Sequence, residues 1–177
     1  VDVTRWPLWR RARAGLGYLP QQPSIFRRLT VRANLQVALS RRLPRAARRA
    51  EADALLERWG LAGLADARGS RLSGGERRRV EIVRALAAQP AVLLVDEPFA
   101  ALDPLAVQAV RRQLRRLAGQ GVGVLLTDHR VEQALEACDR VYILANGASL
   151  FAGAPADAAA DAAVQAHYLG SSTPGTG

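Results

Sequence analysis

The sequence contains no lysine and no methionine, one cysteine, and 5% aromatic residues. Without lysine it cannot contain the phosphate loop G-x-x-x-x-G-K-[ST], whose lysine must reach the β- and γ-phosphates of a nucleotide. Without methionine, Val1 is not expected to be the natural start. Cys138 alone cannot close an internal bridge, so nothing points to an oxidising compartment. No apolar run approaches the roughly 20 residues of a membrane-spanning helix, and no signal peptide opens the chain.

What is present is a globular composition: 177 residues, 49% hydrophobic and 23% charged. That balance can bury a core, and it excludes a disordered tail, a collagen-like repeat and a small disulfide-stapled scaffold. A soluble, cytoplasmic protein is expected. All 25 basic residues are arginine against 16 acids, a net charge of +9. Such charge could bind nucleic acid by counterion release. The arginines are scattered, however, as at Arg10-Arg11, Arg41-Arg42, Arg77-Arg78-Arg79 and Arg111-Arg112, with few aromatics between them to stack bases. Solvated helix faces are the favoured reading, some of the charge facing a partner or an anionic membrane surface. No nucleic-acid partner is expected.

The element pattern changes along the chain. Residues 15–20 read as a short strand stopped by Pro20. Thr30 is a candidate N-cap for a helix over Val31–Leu39, and Pro44 opens a second helix to about Trp59. Ser73 begins a third helix through Ala88, so residues 22–88 form a largely helical block. From residue 90 strands and helices alternate. Ala91–Val95 is an apolar run, expected to be buried on both faces of a parallel sheet. A helix is expected from Pro104 to Ala118, a strand over Val122–Thr127, and a helix over Val131–Cys138. Val141–Leu144 and Ser149–Ala152 should pair through a turn at Asn146-Gly147. Residues 171–177 are expected to be a disordered tail. The reading is α/β: a parallel-sheet core over about 90–153 with an inserted helical subdomain.

Polar residues gather at the carboxyl ends of the two buried strands, Asp96-Glu97 on one and Asp128-His129 on the next, the edge where open α/β sheets bind ligands. Asp96 can hold Mg²⁺ against a nucleotide, and Glu97 can orient or deprotonate an attacking water. Leu72-Ser73-Gly74-Gly75-Glu76 has an ordinary explanation as a capping box between Ser73 and Glu76. A capping box does not explain two glycines in the first turn, which point to close approach of a phosphate to the helix N-terminus. Other sites are missing. Gly15-Leu16-Gly17 lacks the third glycine of a dinucleotide fingerprint, because Pro20 stands there. One cysteine and two histidines cannot make a structural zinc site. Cys138 falls on a helix and reads as core.

Gln21, the helical block, the signature at 72–76, Asp96-Glu97, Ala101-Leu102-Asp103 and His129 occur in this order. The chain resembles the ATP-binding-cassette (ABC) ATPases from their Q-loop onward, over nearly its whole length. The resemblance implies a P-loop NTPase-like fold and, for the parent protein, ATP and Mg²⁺. Gln21 would sense the γ-phosphate and metal, Asp96 would serve Mg²⁺, Glu97 the hydrolytic water, and His129 the γ-phosphate. Ser73 and Gly75, with Gly74 and Glu76 in the same signature, would bind the nucleotide held by a second ATPase subunit. Asp103 would lie at the dimer interface.

Arg13–Gln21, Ser24–Leu29, Leu72–Glu81 and Val122–Val131 are similar in wording to the ATPase of the lipopolysaccharide-export transporter, as is Tyr168-Leu169-Gly170. Ala101-Leu102-Asp103 and Arg130 depart from that wording. The resemblance implies a peripheral protein on the inner face of the bacterial inner membrane, working with transmembrane permease subunits. Phe26, Arg27, Arg28 and Leu29 would form the rim that meets them. A core Phe26 with solvated arginines fits the same residues, and both readings stay open. The ATPase of a branched-chain amino-acid importer, a soluble ABC ATPase and a non-catalytic interaction fragment are the alternatives. The chain is expected to be a fragment starting inside the domain, inactive alone because the phosphate loop is absent.

Overall fold

The computed structural model describes residues 2–166. The chain divides into two compact units, Val1–Thr127 and Asp128–Gly177. The tail at 171–177 and Tyr168-Leu169-Gly170 lie outside the described residues.

The first unit begins with α1 (Leu8–Arg13), entered through Pro7, and β1 (Leu16–Leu19). Gly15 between them has φ +97°, and its carbonyl accepts from the N–H groups of Ala91 and Val92. A side chain there would be strained, so glycine is required. Helix α2 (Val31–Leu39) starts where expected, with the Thr30 side chain accepting from the Ala33 N–H at 3.1 Å. Helix α3 (Arg45–Arg58) follows Pro44. Arg32 ties α2 to Asp53 on α3, at 2.6 Å, and to Asp66 beyond it. Helix α4 (Gly74–Leu86) leads to β2 (Val92–Asp96), α5 (Pro104–Gly119) and β3 (Gly123–Thr127).

These strands form a parallel sheet of order β1-β2-β3, with Leu19 opposite Val95 and Asp96 opposite Thr127. Helix α4 packs against β1, and α5 against β3. Leu19, Leu93 and Val95 lie buried on one face with Val80, Ile82, Val83, Val110, Leu114 and Leu117 from the two helices. Burial on both faces does not hold. Tyr18, Val92 and Leu125 turn to the other face and are exposed, Leu125 by 57%. Side chains alternate across a strand, and within this unit α4 and α5 supply cover on one side.

The second unit contains α6 (Val131–Ala137), β4 (Val141–Ala145), β5 (Ala148–Gly153), α7 (Pro155–Ala160) and the short α8 (Ala162–Val164). Strands β4 and β5 pair antiparallel. Their turn holds Asn146 at φ +50° and Gly147 at φ +78°, as a tight hairpin with two left-handed residues requires. Val141, Ile143, Ala158 and Val164 form its core, with Cys138 packed against them.

Candidate active site

The expected carboxylates stand at the carboxyl edge of the parallel sheet. Asp96 ends β2 beside Thr127, which ends β3. The Thr127 hydroxyl donates to Asp96 Oδ1 at 2.6 Å, and the Tyr18 hydroxyl approaches Oδ2 at 3.5 Å. One carboxylate oxygen is thereby fixed and the group oriented. Glu97 follows in the left-handed region at φ +41°, its N–H donating to the Thr127 carbonyl at 2.8 Å. A left-handed non-glycine residue costs roughly 1–2 kcal/mol. Here Glu97 is held by that bond and by its carbonyl, which accepts from the Ala100 N–H at 3.3 Å. Gln21 comes from the far end of β1 to meet it, with Nε2 donating to Glu97 Oε2 at 2.6 Å. Gln21 and the adjacent pair Asp96-Glu97, distant in sequence, thus meet at one edge.

Two residues that the sequence reading passed over hold this edge together. Arg78 on α4 is buried, and its guanidinium donates to the Pro20 carbonyl at 2.7 Å and the Asp96 carbonyl at 2.8 Å. Glu81, one turn on, lies 3.6 Å from it and accepts from the N–H groups of Ser24 at 2.6 Å and Ile25 at 3.1 Å. Burial pushes the Arg78 pKa down, and Glu81 opposes that shift. Arg78, Glu81 and Ile82 share one side of α4 and Val80 and Val83 the other, and all five are buried, so the helix is enclosed on both sides. A charge pair on the buried face of a helix must have internal partners.

The signature residues make a second cluster where α4 meets α5. The capping box is closed: Ser73 Oγ accepts from the Glu76 N–H at 3.3 Å, and the Ser73 N–H donates to Glu76 Oε2 at 2.9 Å. These bonds, the backbone one first, hold the Glu76 carboxyl below the usual glutamate range. Gly75 has a packing reason of its own, since a Cβ there would sit 2.6 Å from the Ala106 Cβ. Gly74 is under no such pressure, its nearest neighbour being Leu102 at 3.6 Å. Asp103 caps α5, accepting from the Ala106 N–H at 2.9 Å. The residue opposite Gly75 is therefore the one that Asp103 fixes.

His129 belongs to the second unit. Its Nδ1 lies 3.9 Å from Asp128 Oδ1, with the side chain 67% exposed. The rim residues are resolved in favour of the surface: Phe26 is 49% exposed, and Arg27, Arg28 and Leu29 are exposed too. The core reading of Phe26 falls. Its main chain is locked by buried Asn34, which accepts from the Phe26 N–H at 2.8 Å and donates to its carbonyl at 3.1 Å. The Arg84 guanidinium stacks 5.4 Å from the Phe26 ring centre and donates to Ser24 Oγ at 2.6 Å.

Among the described residues no group of three His, Cys, Asp or Glu side chains could cage a metal. Asp96 and the Gln21 amide nevertheless offer hard oxygen donors at the same edge. That set fits Mg²⁺, which keeps several waters and takes one or two protein oxygens together with phosphates.

The model of the ABC transporter family matches residues 2–100. The chain belongs to the ABC transporter ATP-binding family. It is 46% identical over 171 residues to the lipopolysaccharide export system ATP-binding protein LptB of Haemophilus influenzae, covering 96% of this chain and 71% of that protein. It is 49% identical to a probable ABC transporter ATP-binding protein of Azorhizobium caulinodans, spanning 60% of its length. Among solved structures, cbiO1 of Clostridium perfringens, part of the ABC transporter complex cbiONQ, superposes with a TM-score of 0.79 at 27% identity. That likeness covers 94% of this chain and 67% of the other. The α/β fold of this chain is that of an ABC ATPase domain, a family that binds ATP and works as dimers with transmembrane permeases. Among the described residues, no helix is long and apolar enough to cross a membrane.

Proposed function

We propose that this chain is the catalytic part of an ABC ATPase that couples ATP hydrolysis to lipopolysaccharide export. The Gln21–Glu97 hydrogen bond at the sheet edge, with Asp96 beside it, carries the proposal. It joins the candidate sensor of the nucleotide to the candidate base. Asp96 and Gln21 would hold magnesium, which would supply positive charge against the phosphate oxygens. Glu97, released from Gln21, accepts a proton from the attacking water as general base. Ser73, Gly74, Gly75 and Glu76 present the start of α4 to the nucleotide of a second subunit, where helix N–H groups favour phosphate. Asp103 lies at that dimer contact, and His129 meets the γ-phosphate after the chain leaves β3.

The cargo reading is supported by the similarity to LptB. The rim at Phe26–Leu29 is the contact with the permease. Half-exposed Phe26, backed by Arg84, offers an apolar ring flanked by cations to a partner helix. In the full-length protein, Phe26→Ala and Arg27→Ala leave soluble ATPase activity largely intact while co-purification with permease subunits and lipopolysaccharide release from proteoliposomes fall sharply. Normal assembly and transport in both variants place the contact elsewhere.

A further inference from the structure

Helix α1 has no buried residue, no acidic residue and three arginines in six positions. Leu8 is 72% exposed and Trp9 58% exposed. The aromatic rings are paired with cations: Arg10 lies 4.1 Å from the Trp6 ring centre and Arg13 5.2 Å from that of Trp9. A merely solvated arginine face does not need two large apolar side chains at its tip. Tryptophan with arginine is instead the composition of a bilayer interface, where the ring settles at headgroup level and the cation meets phosphate.

The cationic surface continues from α1. Ala12 and Arg13 line a cleft of about 370 Å³ together with Arg41, Arg42, Arg84 and Tyr18, and no acid lines it. Arg42 is held in place by donating to the Ala87 carbonyl at 2.9 Å. Arg84 borders both this cleft and the Phe26 ring, so the surface is continuous with the proposed permease rim.

We propose that α1 and the adjoining arginines are a contact site for anionic lipid. Leu8 and Trp9 enter the headgroup layer, while Arg10, Arg13, Arg41 and Arg42 meet lipid phosphates. Each arginine near such a surface strengthens binding about fivefold, an effect that salt weakens. A zwitterionic bilayer supplies the apolar term alone. The proposal concerns how the protein sits on the bilayer and does not depend on which cargo is moved.

The test uses the full-length protein without permease, mixed with vesicles of phosphatidylcholine alone or with phosphatidylglycerol added. Binding to the anionic vesicles is expected to be about tenfold tighter or more. Brominated lipid should quench tryptophan fluorescence, and Trp9→Phe should remove most of that quenching. Leu8→Ser/Trp9→Ser should weaken binding about tenfold and Arg10→Ala/Arg13→Ala about thirtyfold. Arg112→Ala/Arg115→Ala, which removes the same charge from α5, should stay within about twofold of the parent. Equal losses in the α5 variant would mean adsorption of a basic protein without a site, and would overturn the proposal. So would absence of quenching, as when the rest of the protein covers α1. Because no permease is present, failure of the transport reading leaves these readouts untouched.

Discussion

Arg78 reaches out of the signature helix to hold the main-chain carbonyl of Asp96 at 2.8 Å. The same guanidinium takes the Pro20 carbonyl, one residue before Gln21, at 2.7 Å. One side chain thus ties together the Q-loop, the end of β2 and the helix carrying Ser73 and Gly75. Movement of any of these three against the others must break or rotate one of these hydrogen bonds.

Arg78→Met removes both bonds and the cation 3.6 Å from buried Glu81, leaving it only Arg84. Breaking a buried pair from one side costs about 3–5 kcal/mol. Urea unfolding of the full-length variant should show a loss in that range. A loss below about 1 kcal/mol would mean the pair is dispensable.

Gly75→Ala places a methyl 2.6 Å from the Ala106 Cβ and should cost about 1–3 kcal/mol by overpacking. The double variant Gly75→Ala/Ala106→Gly should recover much of that loss in thermal or urea unfolding. If ATP turnover stays low in the rescued protein, Gly75 also serves the nucleotide. Stability that fails to recover would contradict the close contact as its source.

Much of the fold was legible because local signals agreed with one another. Thr30 and Ser73 cap helices in the structure, and Asn146-Gly147 turns the hairpin. Other features were not legible, for separate reasons. Helix α1 has no apolar face turned inward, so no buried periodicity marks it. Exposure of Leu125 and Tyr18 depends on which sheet face the helices cover, and an apolar run in one strand carries no record of that. The left-handed φ of Glu97 and Ala101 falls at residue types that give no local sign of it. The packing reason for Gly75 was not legible because its steric partner, Ala106, lies beyond an intervening strand. Asp96, Glu97 and Gln21 were nameable from motif order, but their meeting required the register Leu19 to Val95 and the Arg78–Glu81 staple.

The Glu76 carboxyl gives a pH dependence with a definite sign. Its pKa is lowered in the folded chain, first by the Ser73 backbone N–H. Its contribution is therefore complete above the unfolded value of about 4.3 and is lost as pH falls through the lower folded value. Glu76→Gln should flatten that part of the acid limb, while leaving the difference from the parent constant from about pH 6 to 8. Stability curves of parent and variant against pH provide the check, and parallel acid limbs would contradict the capping-box account.

The most direct measurement is single-turnover ATP hydrolysis by the full-length protein and its Glu97→Gln variant, with nucleotide binding followed in parallel. The amide keeps the shape and the hydrogen bond to Gln21 but cannot accept the proton of water. The account predicts ATP binding within about threefold of the parent, a closed dimer that accumulates with ATP, and phosphate release reduced by about 10²-fold or more. Near-parental phosphate release from Glu97→Gln would contradict it.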